Sequence, residues 1–155
     1  MSTFRNLIGD DWVAAKSGAT FTSVNPANHD EVIGEFAASG PADVDAAVGA
    51  AKAAFPAWSM MPAPKRGEIL FKVARLLAEH KEELSRLMTR EMGKVLPEAR
   101  GDVQEAIDVA YYMAGEGRRL FGQTVPSEMP DKFAMAIRRP KTTAIVLCPA
   151  ARSAS

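Results

Sequence analysis

Apolar residues along this chain recur first at every second position, then at helical spacing, then at every second position again, which predicts an α/β arrangement with helices between two β-rich ends. Leu7-Ile8 and Trp12-Val13 flank the turn tripeptide Gly9-Asp10-Asp11 and predict a hairpin. Thr20 to Val24 is β-prone, Asn25-Pro26 interrupts it because the ring restricts the preceding residue, and Val32 to Phe36 resumes as a strand. From Gly40 the period becomes helical, with Pro41 in the first turn and Asp43 and Asp45 near the positive end of the dipole. Val44, Ala47, Val48, Ala51 and Phe55 form its apolar stripe, and Pro56 is expected to end it. A second, long helix is predicted after Met61-Pro62-Ala63-Pro64, with Ile69, Leu70, Val73, Leu77, His80, Leu84, Leu87 and Met88 on one stripe and Gly93 as its stop. A third runs from about Pro97 to Phe121, with Val103, Ile107, Ala110, Ala114 and Phe121 facing one way. Alternation returns at Phe133, Met135 and Ile137, and a last apolar run spans Ala144 to Leu147.

Composition narrows the possible partners. Nineteen basic and nineteen acidic side chains cancel, and neither sign gathers into a block, so a nucleic-acid or anionic-membrane surface has no electrostatic basis. No stretch reaches the roughly 18 apolar residues of a membrane span, and the N-terminus has no apolar leader core, so a cytoplasmic protein is expected. Cys148 is the one cysteine, which excludes an internal disulfide and suits a reducing compartment. His29 and His80 lie on different elements, so Cys and His cannot assemble a four-ligand zinc site, and no metal is expected. At His80 a packing role is expected rather than a ligand. Gly115 and Gly117 suggest a dinucleotide-binding turn, but no strand precedes them and the third glycine position is Leu120.

Val24-Asn25-Pro26-Ala27, Asp43-Val44-Asp45-Ala46-Ala47-Val48, Phe55-Pro56-Ala57-Trp58, Arg90-Glu91-Met92-Gly93-Lys94 and Arg138-Arg139-Pro140 stand in one order and spacing. In these the chain resembles the aldehyde dehydrogenases, over about the first third of a family member and nearest to the branches acting on semialdehydes. The resemblance implies the N-terminal part of that fold: helices of the Rossmann-type cofactor domain, the first arm of the oligomerisation hairpin, and an incomplete sheet. On it, residues 1–130 belong to the cofactor domain, 131–140 to the hairpin arm, with Phe133 to Arg139 as its strand, and 141–155 to a divergent tail.

The family attacks an aldehyde with a downstream cysteine, passes hydride to NAD or NADP, and uses a downstream glutamate to activate the water that releases the acid. None of these positions is matched here, so the resemblance implies a truncated oxidoreductase without activity of its own. Ala151 stands where the family carries an oxyanion-holding asparagine, and a methyl group donates no hydrogen bond. Cys148 stands at a hydroxyl position rather than at the nucleophile. Val146, Leu147, Cys148 and Pro149 are the candidate cofactor-binding residues, by position only, and poor binding of NAD or NADP is expected. Asp102 matches an acidic position that in some relatives helps hold a structural monovalent cation; an ordinary solvated carboxylate is expected here. The partners implied are a second copy or a full-length aldehyde dehydrogenase subunit, and the alternative function is a non-catalytic interaction module using the hairpin edge. Helix stripes shaped to cover a missing sheet would leave a large exposed apolar surface, from which poor solubility or a molten state is expected.

Overall fold

The computed structural model describes residues 3–139. Strands β1 (Thr3–Phe4), β2 (Asn6–Ile8), β3 (Asp11–Val13), β4 (Thr20–Asn25) and β5 (Asn28–Ala37) come first. Helices α1 (Pro41–Met60), α2 (Ala63–Glu79), α3 (Lys81–Met92) and α4 (Leu96–Glu116) follow, and β6 (Gln123–Val125) and β7 (Ala134–Ala136) close the described chain.

The expected first hairpin is β2–β3, antiparallel with Leu7 opposite Trp12. Gly9 adopts φ 64° at its turn, where a Cβ would be strained. The Asn25-Pro26 interruption is itself a turn, joining β4 to β5 as a second antiparallel hairpin. Thr3–Phe4 adds a parallel strand on the other edge of β5, giving the order β1-β5-β4. Such a two-residue strand carries no periodic signal, whereas its anchor does have a physical basis: Phe4 stacks on Phe36 at 4.7 Å.

Two helix boundaries differ from expectation. Pro56 does not end α1, which continues to Met60. Proline φ is compatible with a helix, so the helix runs on despite the missing Pro56 donor and the crowding at the Lys52 carbonyl four residues back, and the Pro56 carbonyl accepts from Ser59 Oγ at 2.9 Å. The long second helix is in fact two. His80, at φ −100° and ψ 14°, ends α2 by donating its N–H to the Leu76 carbonyl and begins α3 by accepting from Leu84 N–H. Its ring is exposed beside Glu83 and does not pack on a stripe.

The core lies where α4 meets α2 and α3. Ala99, Val103, Ile107 and Ala114 of α4 are buried against Ala74 of α2 and Ser85 of α3. Ser85 is fully buried without cost in unpaired polarity, because its hydroxyl donates to the Lys81 carbonyl one turn back at 2.7 Å. The α2–α4 contact is set by small residues: a Cβ on Gly67 would lie 2.5 Å from the Ala114 carbonyl oxygen, and one on Gly117 would lie 2.7 Å from that of Ala63. The large apolar residues of α2 therefore point elsewhere. Of the expected stripe, Ile69, Leu70, Val73 and Leu87 are exposed, whereas Leu77, Leu84 and Met88 are half-buried; Phe71 and Leu76, off that stripe, are exposed as well. On α4 the expected stripe holds for Val103, Ile107 and Ala114, whereas Phe121 lies beyond the helix end and is exposed.

Phe133 to Arg139, expected as the first arm of a hairpin, includes β7, which pairs with the preceding Gln123–Val125, a strand not foreseen from the alternation, and so is the second strand of the hairpin described here. No helix among the described residues is long and apolar enough to cross a membrane.

Candidate functional site

The fold brings two distant sequence motifs together. Asn25 is buried; its Oδ1 accepts from Ala27 N–H at 2.9 Å, closing an Asx-turn around Pro26, and its Nδ2 donates to Glu31 at 2.8 Å. The second carboxylate oxygen of Glu31 accepts from Arg90 Nε at 2.5 Å, which ties the β4–β5 turn to the last turn of α3. The hydrogen bond from Asn25 and then that from Arg90 hold the Glu31 carboxyl below its ordinary pKa. Three residues on, Gly93 caps α3 in the left-handed conformation and lies directly against Pro26 and Ala27. Val24-Asn25-Pro26-Ala27 and Arg90-Glu91-Met92-Gly93-Lys94 are thus two halves of one joint.

The joint extends along α4. Lys94 is ion-paired with Asp102, so the carboxylate expected to be solvated has an ammonium partner. Lys81 Nζ donates to Gln104 at 2.7 Å, and Gln104 in turn donates to Asp108 at 2.9 Å. Glu82 receives two hydrogen bonds from Arg100 and is also met by Arg86; Arg100 is the main cause of its lowered pKa, and Glu82 raises that of Arg100. These contacts fasten α3 to α4 along their exposed rim.

The second motif also has a physical task. Asp43 is buried at the third position of α1, where its two oxygens accept from Gly40 N–H at 2.9 Å and Lys16 N–H at 2.8 Å. Those two donors, Gly40 first, lower its pKa and connect α1 to the segment between the two N-terminal hairpins.

Asn25 and Asp43 accept from backbone N–H groups, while Lys94–Asp102, Lys81–Gln104 and Arg100–Glu82 pair side chains across α3 and α4 or the joint beside them. Among the described residues, no three His, Cys, Asp or Glu side chains are placed to share a metal ion. Gly117 does not fit a phosphate cradle, because its missing Cβ is used against Ala63 and the Ala114 carbonyl. Val146, Leu147, Cys148 and Pro149 lie outside the described residues, as do Ala151 and the Ala144 to Leu147 run. The unforeseen part of the joint is Glu31, whose bond to Arg90 spans fifty-nine positions and leaves no local signal.

Known proteins share this architecture. The chain matches the model of the aldehyde dehydrogenase family over residues 12–149. It is similar to the alpha-ketoglutaric semialdehyde dehydrogenase of Bacillus subtilis, 36% identical across 96% of this chain and 30% of that protein. It is also similar to malonate-semialdehyde dehydrogenase 2 of Geobacillus thermodenitrificans, 44% identical across 80% of this chain and 26% of the relative. Among solved structures, the NAD-dependent aldehyde dehydrogenase of Sinorhizobium meliloti superposes with a TM-score of 0.83 at 35% identity, covering 90% of this chain and 28% of that one. The chain thus spans 26 to 30% of the length of these relatives. A family match running from the first hairpin past the last described strand, on a backbone that superposes on a solved member, means that this chain belongs to the aldehyde dehydrogenase family.

Proposed function

We propose that these residues serve as the N-terminal scaffold of an NAD(P)-dependent aldehyde dehydrogenase acting on a semialdehyde, and that the 155-residue chain alone oxidises nothing. The observation that carries this reading is the joint between the Asn25-Pro26 turn and Gly93. Its residues are spent on fixing the β4–β5 hairpin against the end of α3, and none is left as nucleophile, base or hydride-positioning group. The semialdehyde assignment is supported by the names of the B. subtilis and G. thermodenitrificans relatives. Cys148, the one thiol, has no partner base that the sequence places beside it. The test is to incubate the purified chain with a semialdehyde and either NAD or NADP. No reduced nicotinamide should form, and sustained turnover free of host enzyme refutes the reading.

A second reading is favoured by one feature. The β6–β7 hairpin carries Phe133, Met135 and Ile137 at 70, 61 and 58% exposure, an apolar ribbon suited to pairing with another subunit. As an interaction module, the chain would co-elute with a full-length aldehyde dehydrogenase subunit and change its assembly. Separate elution rejects that role.

A further inference from the structure

Between the first turn of α2, the linker after α4 and the end of the β6–β7 hairpin lies a cleft of about 480 Å³ lined by Arg66, Leu120, Arg138 and Arg139. Three of its four lining side chains are guanidinium-bearing, and none is acidic. Five arginines elsewhere have a carboxylate partner: Arg75 with Glu79, Arg119 with Glu116, Arg90 with Glu31, and Arg86 and Arg100 with Glu82; Arg5 and Arg118, like those of the cleft, have none among the described residues. Arg66, Arg138 and Arg139 form no ion pair among the described residues. The Arg66 guanidinium lies 5.9 Å from the centroid of the Trp58 ring, a cation–π contact that favours this position of the side chain. Its place in the first turn of α2 adds the positive end of a helix dipole to the same sign of charge.

Like charges held in one concave space repel, and an anion that enters is attracted by all of them at once. We propose that this cleft binds a small phosphate-type dianion. A tetrahedral oxyanion offers a separate oxygen to each of three planar forks, whereas a carboxylate has two oxygens in one plane. Leu120 supplies an apolar wall that limits water on one side. This site is separate from the joint at Gly93 and does not depend on the dehydrogenase reading.

Equilibrium dialysis of radiolabelled inorganic phosphate against the 155-residue chain at low ionic strength tests the assignment. One phosphate should bind per chain, with half-saturation at about 1 mM or below, weakening as chloride is added. R66Q and the double variant R138Q/R139Q should each weaken binding about tenfold or more. R66K, which keeps the charge but loses the fork, should weaken it by less than R66Q, and R118Q, outside the cleft, should bind as the parent does. Circular dichroism at each point establishes that the variants keep parental helix content. Absence of saturable binding, equal loss in R118Q, or stronger displacement by succinate than by unlabelled phosphate overturns the proposal.

Discussion

Gly93 stands so close to Pro26 that a Cβ added to it would lie 3.0 Å from the proline Cγ. It also holds φ at 72°, the left-handed conformation that a side chain disfavours. Gly93→Ala should therefore lower stability by about 1–2 kcal/mol from backbone strain alone, with the contact to Pro26 adding to the loss. Chemical denaturation of both proteins measures the difference; an unchanged midpoint would mean that the turn and the helix end do not meet in solution.

A different close approach governs the α2–α4 pair. Gly67→Val would drive its Cβ into the Ala114 carbonyl oxygen, which belongs to helix backbone and cannot rotate aside. The expected cost is about 1–3 kcal/mol, typical of forcing extra volume into a close-packed contact. A thermal melt followed at helical wavelengths gives the answer, and a stabilised Gly67→Val protein would contradict the observed helix spacing.

Burial in α4 supports a cavity prediction. Ile107 is 4% exposed, and truncation to alanine should cost about 2–5 kcal/mol, toward the low end because its neighbours are small and can close in. Val109, on the opposite side at 53% exposure, serves as the control, and its change to alanine should be near neutral.

Acid should loosen the hairpin contacts in a defined direction. Glu31 and Asp43 are both held below their ordinary values of 4.5 and 3.8, the first chiefly by Asn25 and Arg90, the second by Gly40 and Lys16 N–H groups. A depressed carboxyl contributes stability that is complete above its unfolded value and disappears as pH falls through the folded one. Stability should therefore fall as pH drops below about 4.5, and the fall should be shallower in Asp43→Asn and Glu31→Gln. Denaturation midpoints from neutral to acid pH test this; parallel curves for parent and variants would count against both carboxylates.

The outward apolar face of α2 and the β6–β7 ribbon should bind a hydrophobic dye strongly in the isolated chain. Dye fluorescence no higher than that of a compact monomer, together with a sharp cooperative melt, would indicate that these faces are covered.

Legibility in the sequence followed the range of the interaction. The Leu7 to Val13 hairpin, the helix start at Pro41 and the stop at Gly93 depend on neighbours in sequence, and all three stand in the structure. The break at His80 was hidden because the apolar period carries on across it into α3. Pro56 misled because its usual effect on a helix is a strong local rule, yet one lost donor was tolerated. Which side of α2 turns inward could not be read from hydrophobicity, since close approach selects Gly67 and Ala74 over Leu70 and Leu76. At the candidate site, the resemblance carried the motif residues, but the Asn25–Glu31–Arg90 bridge required the β4–β5 turn and α3 to be placed side by side.

That choice of glycine and alanine between α2 and α4 also decides how the chain can drift. Substitutions at Gly67, Ala74, Ala114 and Gly117 are filtered by bulk, so even a greasier residue would be rejected there. Val73 and Leu76, on the exposed side of α2, are free to interchange among branched and aromatic types until some other surface settles on them.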